Sequence, residues 1–124
     1  MARILLIEDD IDVRWVMQHV LLDAQHRVDT SSTLDGGLAL LASRHYDLVV
    51  TDGRLPDGTG IALADKAEEK GVAALIVTGY AFGLRNDEPG ADLAKYNLLL
   101  KPVRPDELVN AVARALAASR ARIG

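Results

Sequence analysis

Four short apolar runs, Ile4-Leu5-Leu6-Ile7, Leu48-Val49-Val50, Ala74-Leu75-Ile76-Val77 and Leu98-Leu99-Leu100, contain no polar residue. A strand with one wet face alternates apolar and polar side chains. A run without alternation fits a strand covered on both faces, as in a parallel sheet with helices on either side. A weaker, alternating stretch around Arg27-Val28-Asp29 brings the expected strands to five. Parallel neighbours need long crossovers, so the segments between the runs should be helices.

The first connection meets that demand. Val13, Val16, Met17, Val20, Leu21 and Ala24 recur at the spacing of one helical face, with Asp12, Arg14, Gln18 and Asp23 off it. Ser31-Ser32-Thr33 offers cap oxygens to a second helix running through Leu38, Leu40 and Leu41 to Arg44, softened by Gly36-Gly37. Ile61 to Lys70 predicts a third helix stopped at Gly71, where a positive φ is wanted. Between Gly79 and Tyr96, Gly83, Pro89 and Gly90 oppose regular structure, and only one or two turns are expected. A final helix opens with Pro105, Asp106 and Glu107 in its first turn and carries Leu108, Val109, Val112 and Leu116 on one side, leaving a short tail. The expected fold is therefore α/β, a flavodoxin-like doubly wound (βα)5 with a five-stranded parallel sheet in the order 2-1-3-4-5. Residues 1–124 read as a single domain with no output domain attached.

Composition narrows the function. Eighteen acids against fourteen Lys and Arg give a net charge of -4, and the cations are scattered, which argues against direct nucleic-acid binding or an anionic membrane surface. With no cysteine, disulfide frameworks and thiolate zinc sites are excluded. No apolar run is long enough for a membrane span and no signal peptide precedes the first strand, so a cytoplasmic location is the default expectation. His19, His26 and His45 show no ligand spacing and are expected at the surface without a role.

In a doubly wound sheet, function gathers at the carboxyl ends of the strands. Those ends read Glu8-Asp9-Asp10, Asp52, Thr78-Gly79 and Lys101-Pro102. Several carboxylates so close cannot all stay ionised unaided. Lys101 supplies one positive charge, and Mg²⁺, a hard cation that wants oxygen ligands and neither His nor Cys, fits the rest. A carboxylate, Mg²⁺, a hydroxyl and an ammonium around one point are the parts of a phosphoryl-transfer site, with Asp52 as nucleophile. Gly53 and Gly79 are expected to keep the approach open. Asp10 reads as either a helix cap or a residue reaching metal through water, and Asp57-Gly58-Thr59-Gly60, lacking the lysine of a P-loop, as a turn.

Together, Ile4-Leu5-Leu6-Ile7-Glu8-Asp9-Asp10, Asp47-Leu48-Val49-Val50-Thr51-Asp52 with Leu55-Pro56-Asp57-Gly58-Thr59-Gly60, Ile76-Val77-Thr78-Gly79 and Leu100-Lys101-Pro102 resemble the motifs of response regulator receiver domains of two-component signalling, over essentially the whole chain. The resemblance implies a signalling phosphoacceptor rather than an enzyme acting on a separate substrate, of the stand-alone type. It implies phosphorylation on Asp52 by a sensor histidine kinase or histidine phosphotransfer protein, and output through an unknown downstream protein or onward transfer. Carried over by position, Glu8, Asp9, Asp52 and the Arg54 backbone carbonyl hold Mg²⁺, Thr78 and Lys101 contact the phosphoryl oxygens, and Lys101-Pro102 is cis.

One departure stands out. Receivers commonly carry Tyr or Phe three residues before the lysine, where this chain has Leu98; Tyr96 is one strand step away. The aromatic partner of the hydroxyl switch is therefore absent from its usual place, which leaves a phosphorylation-independent interaction module as the alternative. Arg54 and Tyr80, at positions that vary among receivers, are bulky and expected to shield an aspartyl phosphate from water. Trp15 lies on an arc with Ile11 and Leu22 off the apolar stripe of the first helix, where receivers dock kinases. It reads equally as a partner anchor or as a half-buried ring packed on its neighbours.

Overall fold

The computed structural model describes residues 1–79 and 97–123. In chain order the elements are β1 (Arg3–Ile7), α1 (Ile11–Asp23), β2 (Arg27–Ser31), α2 (Leu34–Ser43), β3 (Leu48–Asp52), a two-residue ladder of β4 (Arg54–Leu55) with β5 (Gly58–Thr59), α3 (Gly60–Glu69), β6 (Ala73–Thr78), β7 (Asn97–Leu100) and α4 (Pro105–Ile123). The main sheet is parallel throughout, in the order β2-β1-β3-β6-β7. Counted without the small ladder, this is the 2-1-3-4-5 order that the apolar runs imply.

The lack of alternation in the central strands has the expected cause. In β1, Ile4 and Leu6 point to one core and Leu5 and Ile7 to another, and all four are fully buried. The first core is filled by Met17 and Leu21 of α1 and by Leu108, Val112 and Leu116 of α4. The second is filled by Leu41 of α2 and by Leu63 and Ala67 of α3. Each such aliphatic side chain contributes about 2 kcal/mol by leaving water.

Helix ends follow local chemistry. Asp10 caps α1, its Oδ1 accepting the Asp12 and Val13 N–H groups at 2.9 and 3.1 Å, as the first of its two readings expects. Thr33 caps α2 and Thr59 caps α3. Gly71 follows α3 with φ 74°, the left-handed conformation its position called for. Three details differ from expectation. Val16 is 51% exposed, because it borders an open groove of about 510 Å³ between α1 and residues 101–103 instead of packing beneath the helix. The last helix runs on to Ile123, using most of what read as a tail. His26 is half-buried, its Nδ1 accepting the Ala2 N–H at 3.1 Å and its pKa held below the usual value by burial and the nearby amino terminus. The fourth connection, with Tyr80 and Tyr96, lies outside the described residues. Among the described residues, no helix is long and apolar enough to cross a membrane.

Candidate functional site

Register places the expected residues together. Strand β1 pairs with β3 from Ile4 opposite Leu48 to Ile7 opposite Thr51, so Glu8 and Asp52 leave adjacent strands at the same height. On the other side, Asp52 pairs with Val77, one residue before Thr78, and Thr78 pairs with Leu100, one before Lys101. The chain thus delivers an acid, a second acid, a hydroxyl and an amine to one edge from four neighbouring strands.

Glu8, Asp9 and Asp52 each present a carboxylate oxygen within 4.8 Å of the others. Glu8 is buried, Asp52 partly so, and Asp9 sits exposed at the rim. Lys101 reaches in from the end of β7, its Nζ donating to Glu8 Oε1 and, at 3.0 Å, to Asp52 Oδ2. Two largely dry carboxylates thus share one ammonium, and the mismatch appears in their titration. Burial, together with the Asp52 carboxylate beside it, lifts Glu8 to about 7 in spite of the lysine. Burial alone would lower Lys101, but its hydrogen bonds to Glu8 and Asp52 outweigh that and hold it above the usual lysine range. All donors in the carboxylate cluster are hard oxygens, which suits Mg²⁺.

The backbone around Asp52 is held closely. Its Oδ1 accepts the Arg54 N–H at 3.2 Å, and the Gly60 N–H donates to the Gly53 carbonyl at 2.9 Å. A Cβ at Gly60 would stand 2.0 Å from the Asp52 carbonyl oxygen, so only glycine lets α3 start so near the strand end. By contrast, among the described residues a Cβ at Gly79 would meet nothing nearer than Lys101 Cβ at 4.0 Å. Thr78 is fully buried, and its carbonyl accepts the Lys101 N–H at 3.1 Å. The Lys101–Pro102 peptide bond is cis. Arg54 is exposed at the start of the small ladder, and Asp57 to Gly60 form a turn and the entry to α3.

Leu98 pairs with Ile76 and packs with it, Ile61 and Ala64 on the α3 side of the sheet. Trp15 is 60% exposed with its ring stacked on His19, centroids 3.9 Å apart, and Ile11 and Leu22 are exposed with it. Two features escaped the sequence. Tyr46 donates to Asp29 at 2.7 Å beside Arg44, and burial lifts its pKa to about 12. Asp57 reaches across to the start of α2. Pairings between residues so distant in sequence leave no local pattern to find.

A five-stranded doubly wound sheet with an acidic cluster and a lysine at its carboxyl edge is the arrangement expected of a receiver-type signalling domain. The family model described as the response regulator receiver domain matches residues 4–113, and the chain belongs to that family. It is 31% identical over 108 residues to the transcriptional regulatory protein DltR of Streptococcus agalactiae, covering 86% of this chain and 48% of that protein. The chain therefore spans about half the length of that curated relative. The CheY-like receiver domain protein of Methanospirillum hungatei JF-1 superimposes with a TM-score of 0.82 at 27% identity, covering 98% of both chains. TrrA of Thermotoga maritima, solved in complex with Mg²⁺-BeF, shares the fold with a TM-score of 0.79 at 23% identity, covering 93% of this chain and 99% of that one.

Proposed function

We propose that this chain accepts a phosphoryl group on Asp52, in a Mg²⁺-dependent reaction, from the phosphohistidine of a sensor histidine kinase or histidine phosphotransfer protein. The carrying observation is the meeting of Glu8, Asp9 and Asp52 within 4.8 Å, with the Lys101 ammonium laid across two of them. Glu8, Asp9, Asp52 and the Arg54 carbonyl hold the metal, which when bound neutralises charge on the phosphoryl oxygens. An Asp52 carboxylate oxygen forms the new O–P bond as the N–P bond of the donor breaks, and the departing imidazole takes up a proton. Lys101 and the Thr78 hydroxyl then contact the phosphoryl oxygens, so the charge Lys101 now shares between carboxylates passes to the new anion. Hydrolysis reverses the modification when water attacks phosphorus and the carboxylate leaves. Arg54, exposed beside Asp52, and Tyr80 limit that attack. Output passes through a downstream protein or by onward transfer.

The test is intact mass after incubation with acetyl phosphate and Mg²⁺. One phosphoryl adduct is expected on the native chain and none on Asp52→Asn or in chelator. No adduct, and no binding of BeF₃⁻, would favour the second reading, a phosphorylation-independent interaction module. That reading draws on Leu98, whose aliphatic side chain packs where receivers commonly place the aromatic of the switch.

A further inference from the structure

The first four N–H groups of a helix lack partners within it and are usually satisfied by residues close in sequence. In α2 the side chain of the local cap, Thr33, accepts the Gly36 N–H at 3.0 Å. The two N–H groups before it, those of Leu34 and Asp35, are taken by Asp57, whose Oδ1 and Oδ2 accept them at 2.8 and 2.9 Å across 23 and 22 residues. Asp57 is exposed at the turn between β4 and β5, and these two N–H groups hold its carboxyl below the usual range, so it is the carboxylate that does the bridging.

Consider what that turn carries. It begins at Asp52 and Arg54 and returns to α3 through Gly60, whose N–H bonds Gly53. Its Leu55 is buried in the core between α2 and α3. A Cβ on Gly58 would lie 2.5 Å from Leu34 Cδ2, so the tip of the turn rests against the first residue of α2. The far end of the turn is thus clamped to α2 by two charge-assisted hydrogen bonds and a close contact, while its near end bears the Arg54 carbonyl and the N–H that orients Asp52.

We infer that Asp57 is a positioning residue for the metal and phosphoryl site: by bracing the turn of residues 53–59 against the N-terminus of α2, it fixes the Arg54 carbonyl and the Asp52 carboxylate for Mg²⁺. This inference rests on the reading of the site given above. It requires the influence to run both ways, because a ligand that favours the braced turn must also strengthen the bracing bonds.

The experiment is Mg²⁺ titration by calorimetry of the full chain, with amide hydrogen exchange at Leu34, Asp35 and residues 53–55 before and after Mg²⁺. Asp57→Ala is expected to weaken Mg²⁺ binding by about fivefold to tenfold and to speed exchange at residues 53–55, with Asp57→Asn, which retains one acceptor, in between. Thr33→Ala removes the local cap of the same helix without freeing the turn, and should leave Mg²⁺ affinity within about twofold. In the native chain Mg²⁺ should slow exchange at Leu34 and Asp35. Native Mg²⁺ affinity in Asp57→Ala, or equal losses in Asp57→Ala and Thr33→Ala, would overturn the positioning role. Mg²⁺ binding unaffected by Glu8→Gln and Asp52→Asn would instead overturn the site itself, and this inference with it.

Discussion

Strands β1 and β3 at the centre of the sheet and β2 and β7 at its edges are built to different tolerances. Ile4 to Ile7 and Leu48 to Val50 have no measurable exposure, whereas every residue of β2 and β7 is at least partly exposed. The two carboxylates held most deeply, Glu8 and Asp52, are mounted on the central pair, and the amine comes from an edge. Groups that must meet at fixed distances sit on strands that neighbours lock from both faces, while a long flexible lysine can be delivered from a looser element and still reach them.

The largest expected effect breaks this contrast directly. Leu6→Ala, deep in β1, should cost about 3 kcal/mol by denaturant unfolding, against about 1 kcal/mol for Val28→Ala in β2. Equal costs would show that the sheet is no firmer at its centre. Next comes pH. Glu8 titrates near 7 in the folded chain and lower when unfolded, so its protonated form stabilises the metal-free fold, and that contribution is lost as pH rises through about 7. From pH 5 to pH 8 the native chain should lose about 2 kcal/mol more than Glu8→Gln does, the comparison cancelling the opposite trend from His26, which resists protonation as pH falls. Lys101→Met, which keeps the apolar stem, should destabilise at pH 8 by about 1 kcal/mol and much less at pH 5, where Glu8 is neutral. Proton competition at Glu8 should also weaken Mg²⁺ binding about tenfold between pH 8 and pH 6, read by calorimetry. The smallest effect is expected at the edge: Leu98→Val should change stability by under about 1 kcal/mol.

How much of this was legible depends on how far apart the interacting residues lie in sequence. The central strands declared themselves because double-sided burial removes alternation, whereas the equally apolar run of β7 lies at the edge with Leu100 59% exposed. All four runs end in a polar residue, so Glu8, Asp52, Thr78 and Lys101 could be placed together before any contact was known. The caps at Asp10, Thr33 and Thr59 and the stop at Gly71 are local and equally readable. Val16 was misjudged because helical periodicity says which residues share a face, not whether a neighbouring element covers all of it. His26, the Tyr46–Asp29 bond and the Asp57 brace were invisible for another reason. Each joins residues at least seventeen positions apart, and a single exposed Asp or half-buried His looks the same in sequence whether or not it has a distant partner.

The ammonium of Lys101 lies across Glu8 and Asp52. In zinc fingers the ion is the strut that holds the chain up, and a chelator collapses them. Here the chain carries its own counter-ion, so a bound Mg²⁺ would be a visitor. The domain should keep its fold through purification in chelator, read as an unchanged unfolding midpoint with and without the chelator.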